Sequence, residues 1–456
     1  MYPHTRRKAV SMNTSLTTDQ STQTEIAHNI FTFIATCDFS ARTKGRAMAS
    51  KDFTDTSSVG WVPANLGIGP LGHIVDDLPY GASGDLRLLA DASSRATITG
   101  IPGQADLDYC FGNIVNTDGS PWESCSRTFL NNTVRTLRDK YGITFTAAFE
   151  HEFVERATTR YPHPFSFSNF MSAEPVSSTL FKVLEDAGVE PECWLPEYAQ
   201  HQYELTMKPA EPVVAADRAL LLRDITTNVY RAFDREVTFT PVTHPEKGGS
   251  GVHIHYGLYA ENGDSLAFDA DRPGRVSKLA GVFNAGIIKY APELTAIFAP
   301  LTVSYLRLKP DNWSTARAFC GLQNRESLVR VCPTNEIGGK DPAQQLHFEF
   351  RGADAGANPW LLLGVILRAG LAGLDEGLDP VDIVEGELDL EDDHSELAKL
   401  PETLSEALDV FEASETVRSW FAPAFSDTYL KVKRDEVEQL RGKSFEEQCD
   451  IYAAVY

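Results

Sequence analysis

Long apolar runs are missing from this chain: no stretch of about 18 apolar residues occurs, so no membrane span is expected. Basic residues are scarce. Forty-one Lys and Arg face 64 Asp and Glu, a formal net charge of −23. A phosphate backbone needs a positive surface, so nucleic acid is not expected as a partner. Small anions are not excluded, because a local pocket or a bound cation can invert the sign. Cysteines are few and odd in number, seven in all, scattered and without a C-x-x-C pair. Neither a disulfide framework nor a zinc–thiolate site is expected from them, and free buried thiols in a reducing cytoplasm are the reading. Basic residues near the N-terminus are followed by no apolar stretch, so a secretory signal is not expected.

What is present is ordinary globular material. With 42% hydrophobic and 23% charged residues over 456 positions, the chain is neither disordered, collagen-like nor coiled-coil. Residues 1–24 are poor in apolar side chains and read as a disordered tail. Residues 25–122 read as a mostly β region. HNIFTFIATCDFSARTKGRAMA predicts strand, turn, strand, and 54–82 reads as a long Gly- and Pro-rich loop. Short strands follow, with turns at Pro102-Gly103 and Asp118-Gly119. The boundary is placed at 122/123, and 123–456 mixes strands with long helices. SRTFLNNTVRTLRDKYG predicts an amphipathic helix ending at Gly142. Asn358-Pro359 predicts a helix start, with an apolar, buried body after it. The acidic run 375–396 reads as a solvated loop.

Several acidic residues fall inside strand-like apolar sequence rather than on polar faces. AAFEHEFVE puts Glu150 and Glu152 on one side of a strand, since side chains alternate. PECWLPEYAQHQYELTM carries Glu197 and Glu204. GGSGVHIHYGL puts His253 and His255 on one side after a glycine-rich turn. QLHFEFRGADAGANPW does the same for Glu349 and Arg351. A buried carboxylate is costly unless paired or bound to a cation. Magnesium and manganese prefer carboxylate oxygens, and would remove the repulsion of a converging set. Arg307, Arg325, Arg330 and Arg351 lie in the same region, and arginine forks hold carboxylates and phosphates with paired bonds. Anionic substrates bound beside metals are the expectation.

These segments, in this order, resemble the glutamine synthetase family from about residue 30 to the C-terminus. AAFEHEFVE resembles its first metal-binding strand, EYAQHQYEL its paired-glutamate segment, and KGGSGVHIH its glycine-rich turn and metal histidine. RLKPDNW, QNRESLVR and FEFRGADAGANPWL resemble its arginine loop, phosphate arginines and final ligand strand. The resemblance implies an α+β fold, with a small N-terminal β-grasp domain before a large catalytic domain, in a homo-oligomeric ring, twelve subunits being the family pattern. It implies an ATP-dependent ligase that makes γ-glutamyl phosphate from glutamate and then transfers the acyl group to an amine. Two Mg2+ or Mn2+ ions are implied, one at Glu152, Glu197 and Glu204 and one at Glu150, His253 and Glu349. Glu192, His255, Arg325 and Arg330 match groups around ATP. Arg307, Arg351 and the backbone at Gly249 match groups that hold glutamate. Arg325 and Arg307 are the implied catalytic arginines.

The departures concern the nucleophile. Ammonia-using members carry an Asp in a Phe-Asp-Gly-Ser-Ser loop, where this chain has GWVPANLGIGP around Trp61 to Asn65. They carry a flap Glu six residues after the first arginine, where this chain has Trp313, with Asp311 two positions out of register. Gly248 stands where an Asn is common, and His347 stands where an arginine is common. Loss of both acids with the metal ligands kept implies a changed amine. Trp61, Asn65 and Trp313 are the expected pocket for an alkyl or aromatic amine. The alternatives are an ordinary glutamate–ammonia ligase and a non-catalytic ring-forming relative.

Overall fold

The computed structural model describes residues 30–81, 83–156, 163–309, 314–388 and 397–456. The tail expected at 1–24 and the residue Trp313 lie outside them. The first layer is a six-stranded sheet. Strands β1 (Phe31–Cys37) and β2 (Thr43–Ala49) form the expected hairpin. Asp38 closes it, its Oδ1 accepting from the backbone N–H groups of Ser40 and Arg42 at 2.9 Å each, an aspartate-stabilised turn. β3 (Ser58–Trp61), β4 (Leu86–Ala90), β5 (Ala96–Ile98) and β6 (Leu107–Asn116) complete it in the order β2-β1-β6-β4-β3, with β5 also on β6. The central pair, β1 and β6, is parallel. One expectation fails here. The segment 54–82 is not all loop: β3 and a 3-10 turn, Pro63–Gly67, lie within it.

The second sheet has nine strands. They are β7 (Thr144–Glu155), β8 (Pro191–Pro196), β9 (Gln202–Met207), β10 (Val237–Thr238), β11 (Val252–Tyr259), then, beyond the two-residue β12 (Arg317–Ala318), β13 (Cys320–Leu322), β14 (Val329–Val331), β15 (Phe348–Ala353) and β16 (Ile383–Glu385). Their order is β16-β13-β14-β15-β11-β7-β9-β8, with β10 on β7. One face is apolar: Phe149, Phe153, Tyr203, Leu205, Ile254, Tyr256, Phe348 and Phe350 are buried. Helices Pro212–Ala232 and Lys278–Phe298 pack against the sheet, and Pro359–Glu376 packs on both. Burial of this face is the main stabilising term, since area removed from water is worth roughly 25 cal/mol per Å².

The helix Pro359–Glu376 joins the two layers. Asn358 caps it, accepting from the N–H groups of Trp360 and Leu361 at 3.0 and 3.1 Å. The same side chain donates to the carbonyls of Cys37 and Asp38 in the first sheet, at 3.2 and 3.0 Å. Two residues later Trp360 Nε1 donates to buried Asp217 at 2.7 Å. Arg127 holds Asp217 with two bonds, at 3.0 and 2.8 Å, and reaches Asp91 at 2.8 Å. Removing one partner would strand a buried charge.

The acidic run is also only partly as expected. Asp375 and Glu376 end the helix, pairing with Lys140 and with Lys289 and Tyr290 respectively, and 383–385 is a strand. Residues 389–396 lie outside the described residues. All seven cysteines are free as expected, but Cys193 is exposed rather than buried. Among the described residues no helix is long and apolar enough to cross a membrane.

Helices Lys278–Phe298 and Pro359–Glu376 touch through glycine. A Cβ on Gly286 would lie 2.2 Å from the carbonyl oxygen of Ala369 and 2.8 Å from the Gly373 nitrogen. Backbone cannot yield as a side-chain tip can. Gly286→Ala should therefore cost about 2 to 3 kcal/mol, read as a lowered denaturation midpoint. Gly81→Ala, with nothing within 4 Å of the new methyl, should stay within about 0.5 kcal/mol of the parent.

Candidate active site

Sheet register assembles the polar face. Across β7 and β9, Glu152 is opposite Glu204. Across β7 and β11, Glu150 is opposite His253. Across β11 and β15, His255 is opposite Glu349, and across β14 and β15, Arg330 is opposite Glu349. Directly opposed side chains share a face, so a period-two pattern on five strands becomes one polar surface. β15 carries an extra residue between its pairs with Val252 and Ile254. That bulge falls at Arg351 and Gly352, and Arg351 stays on this face with its guanidinium against Glu349. The surface floors a cavity of about 650 Å³ lined by Glu150, Glu152, Glu197, Glu204, His253, His255 and Glu349, with Arg307, Arg325, Arg330 and Arg351 around them.

The groups are close. His253 Nδ1 lies 3.6 Å from Glu150 and 3.5 Å from Glu349, and its Nε2 lies 3.9 Å from Glu152. His255 Nε2 lies 3.1 Å from Glu150. Ligand-type atoms of Glu150, Glu204 and His253 fall within 4.8 Å of one another, as do those of Glu150, His255 and Glu349. Distance thus groups Glu204 with Glu150 and His253, whereas the resemblance groups it with Glu152 and Glu197. Arg330 donates to Glu349 at 2.8 Å, and Arg351 pairs with the other oxygen of the same carboxylate.

Electrostatics divide the carboxylates. Burial alone would raise Glu150, but His255 and His253 outweigh it and hold it well below the usual range. Glu349, also buried, is held down at about 2 by Arg351 and the histidines. Glu152 is pushed up to about 8 by burial and the charge of Glu197. Glu204 is pushed up to about 10 by burial and by Glu150, Glu152, Glu197 and Glu349. Burial keeps His253 down at about 4, hence neutral and able to act as a ligand. Two carboxyls that hold protons at neutral pH beside a neutral imidazole mark a face short of positive charge. An oxygen-rich donor set of this kind fits hard divalent cations.

The arginines are fixed in advance. Buried Arg307 donates to the carbonyls of Gly352 and Ala353 at 3.0 and 2.8 Å and to Ser314 at 3.2 Å. Gly249 makes room for it, since a Cβ there would sit 2.6 Å from Arg307 Cγ. Arg351 Nε donates to the Arg325 carbonyl at 2.7 Å.

Three expected site residues are not at the cavity. Glu192 lies exposed on β8, at the register shift between Pro191 and Cys193, and does not line it. Trp61 is buried in the core of the first layer, and Asn65 sits on the 3-10 turn after it. Neither lines the cavity of its own chain. Other residues were not foreseen. Gln202 donates to Glu152 at 2.7 Å, to the Gly249 carbonyl at 2.9 Å and to Ser250 at 3.1 Å, although its place two before Glu204 on β9 puts it on the same face. Phe165 and Tyr198 form an edge-to-face pair, centroids 4.8 Å apart, and both line the cavity with half-exposed rings. Cys332, two after Arg330, lies 3.8 Å from His255 Nδ1. Burial would raise its thiol, but hydrogen bonds with His255 and His347 hold it down at about 7.

Comparison with known proteins gives the family. Residues 123–452 match the glutamine synthetase catalytic domain and residues 15–122 match the glutamine synthetase N-terminal domain. A γ-glutamylpolyamine synthetase of Streptomyces coelicolor is 29% identical over 372 residues, 79% of this chain and 78% of its own. A glutamate–isopropylamine ligase of a Pseudomonas species is 27% identical over 418 residues, 86% of each chain. A crystal structure described as a novel glutamine synthase homolog superposes with a TM-score of 0.86 at 37% identity, covering 93% of this chain and 98% of that one.

The raised carboxyls have a measurable consequence. Glu152 and Glu204 must lose their protons when a divalent cation binds. Magnesium or manganese binding near neutral pH should release protons, seen by calorimetry in buffers of different ionisation enthalpy. Because both folded pKa values lie above the ordinary 4.5, the stability of the metal-free protein is fullest below that value and falls as pH rises through about 8 and about 10. The gain in melting temperature on adding the cation should therefore grow with pH. Absence of proton release would contradict the assignment of these two groups.

Proposed function

Because this chain belongs to the glutamine synthetase family of ATP-dependent ligases, we propose that it condenses the γ-carboxylate of glutamate with an apolar primary amine. The observation that carries the amine is the composition of the cavity wall. Apart from the five glutamates of the polar sheet face and Glu197's loop, no acidic residue is found among its described lining residues. Phe165, Leu195, Tyr198 and Ala199 line it instead. Ammonium is small and cationic. It needs negative charge for capture and an acceptor for its proton before it can attack. An organic amine recovers binding energy by burying its apolar part, at roughly 25 cal/mol per Å². Its cationic head gains about 0.5 to 2 kcal/mol against an aromatic face.

The chemistry follows from the residues. A γ-carboxylate is a poor acyl donor. One of its oxygens attacks the terminal phosphorus of ATP and ADP leaves, giving γ-glutamyl phosphate. The neutral amine then attacks the carbonyl carbon, the carbon–oxygen bond to the phosphoryl group breaks, phosphate leaves with that oxygen, and the nitrogen gives up one proton to the departing phosphate or to solvent. Magnesium or manganese, held by Glu150, Glu152, Glu197, Glu204, His253 and Glu349, would supply positive charge to the phosphoryl group. Arg325, Arg330 and His255 are the chain's own groups for the phosphates. Arg307 and Arg351, tied to backbone carbonyls, are positioned for glutamate without reorganisation. A role for Trp61 or Asn65 at the amine requires a neighbouring chain, which accords with a homo-oligomeric ring, twelve subunits by family pattern. The free thiols accord with a cytoplasmic enzyme.

An amine panel tests the reading. With glutamate, ATP and magnesium fixed, phosphate release and product mass are followed for ammonium, graded alkylamines, aniline and a linear polyamine. An apolar primary amine should exceed ammonium in kcat/KM by about tenfold or more, equivalent to about 1.4 kcal/mol of transition-state binding. Highest kcat/KM with ammonium would make the enzyme a glutamine synthetase, and with the polyamine a polyamine ligase. A second test addresses the arginines. Arg325→Lys should lower kcat by about tenfold or more at saturating ATP, because an ammonium cannot reproduce a planar fork.

A further inference from the structure

Beside the catalytic cavity, on the same face, three side chains from three strands or their ends converge on one point. His255 Nδ1 lies 3.0 Å from His347 Nε2 and 3.8 Å from Cys332 Sγ. Ligand atoms of all three fall within 4.8 Å of one another. Each imidazole has its remote nitrogen engaged. His347 Nδ1 donates to the Gln345 carbonyl at 2.8 Å, and His255 Nε2 donates to Glu150 at 3.1 Å. With the remote nitrogens so engaged, His255 Nδ1, His347 Nε2 and Cys332 Sγ are the donor atoms that face one another.

We propose that His255 Nδ1, Cys332 Sγ and His347 Nε2 form a third cation site, selective for a borderline-soft divalent ion of the zinc type. Zinc bonds of about 2.3 Å to sulfur and 2.0 to 2.1 Å to nitrogen place tetrahedral ligands about 3.3 to 3.6 Å apart, close to the separations here. A thiolate in the set favours zinc over magnesium. Binding would form one metal–sulfur and two metal–nitrogen bonds and release the thiol proton to solvent. The carbonyl behind His347 and the carboxylate behind His255 are the orienting partners that imidazole ligands ordinarily have. The sharing of His255 couples the site to the active centre: with the cation bound, its ring is pinned between that cation and Glu150 and is withdrawn from the phosphates.

Cobalt is the probe. Full-length protein, reduced and stripped with chelator, is loaded with excess magnesium to fill the oxygen-donor sites and then titrated with Co2+. One Co2+ per chain should bind with tetrahedral d–d absorption and a thiolate-to-cobalt charge-transfer band, and Zn2+ should displace it. Cys332→Ser should abolish that band. His347→Gln, which keeps the thiol, should weaken Co2+ binding by about tenfold or more. Circular dichroism confirms that each variant is folded. If Cys332→Ser does not fold, the affinity of His347→Gln decides. Absence of the charge-transfer band in the parent, its persistence in Cys332→Ser, or unchanged affinity in His347→Gln overturns the proposal and leaves the pair as an imidazole–imidazolium hydrogen bond.

Discussion

Mutual repulsion among buried carboxylates is the constraint around which the rest of this molecule is arranged. Glu150, Glu152, Glu204 and Glu349 are brought onto one sheet face, and Glu349 is only 1% exposed. An isolated carboxylate there would cost several kcal/mol. The protein meets the cost unequally. Arginines and histidines neutralise Glu349 and Glu150, while Glu152 and Glu204 keep their protons. A rigid scaffold that holds acids in protonated form is primed to exchange those protons for divalent cations. Its opposite face, apolar and clamped by three long helices, supplies the stability that the polar face spends.

That division of labour explains the attention given to backbone geometry. Arg351, at the bulge in β15, pairs with Glu349. Gly249 lets Arg307 lie against the loop, and Gln202 ties the loop carbonyl to Glu152. Asn358 links the catalytic sheet's covering helix to the first layer. Each device positions charge before any substrate arrives, which is where electrostatic catalysis draws most of its effect.

Much of this face was legible in the sequence, because strand alternation is local. Glu150 and Glu152, His253 and His255, and Glu349 and Arg351 each declare a shared side by spacing alone. The cap at Asn358 and the helix stop at Gly142 were equally local. Pairing between strands was not. The shift at Pro191/Cys193, where Glu192 sits, is set by pairing with β9 and is not written in the spacing of β8 itself. Trp61 sits in a Gly- and Pro-rich stretch that reads as loop, yet β4 pairs with it and buries it. Cys332 carries no local signal, since no C-x-x-C pair announces it and its partners are histidines on other segments. Gln202 carries no charge to single it out in the sequence, although period-two spacing from Glu204 places it on the same face.

The central claim is that this face activates the γ-carboxylate of glutamate for transfer to an organic amine. Oxygen-isotope transfer tests it most directly. Glutamate labelled with oxygen-18 in its γ-carboxylate is turned over with ATP, magnesium and the preferred amine, and the released phosphate is examined by mass spectrometry. The account predicts one labelled oxygen in phosphate for each γ-glutamyl amide formed. Amide formed with unlabelled phosphate would contradict it.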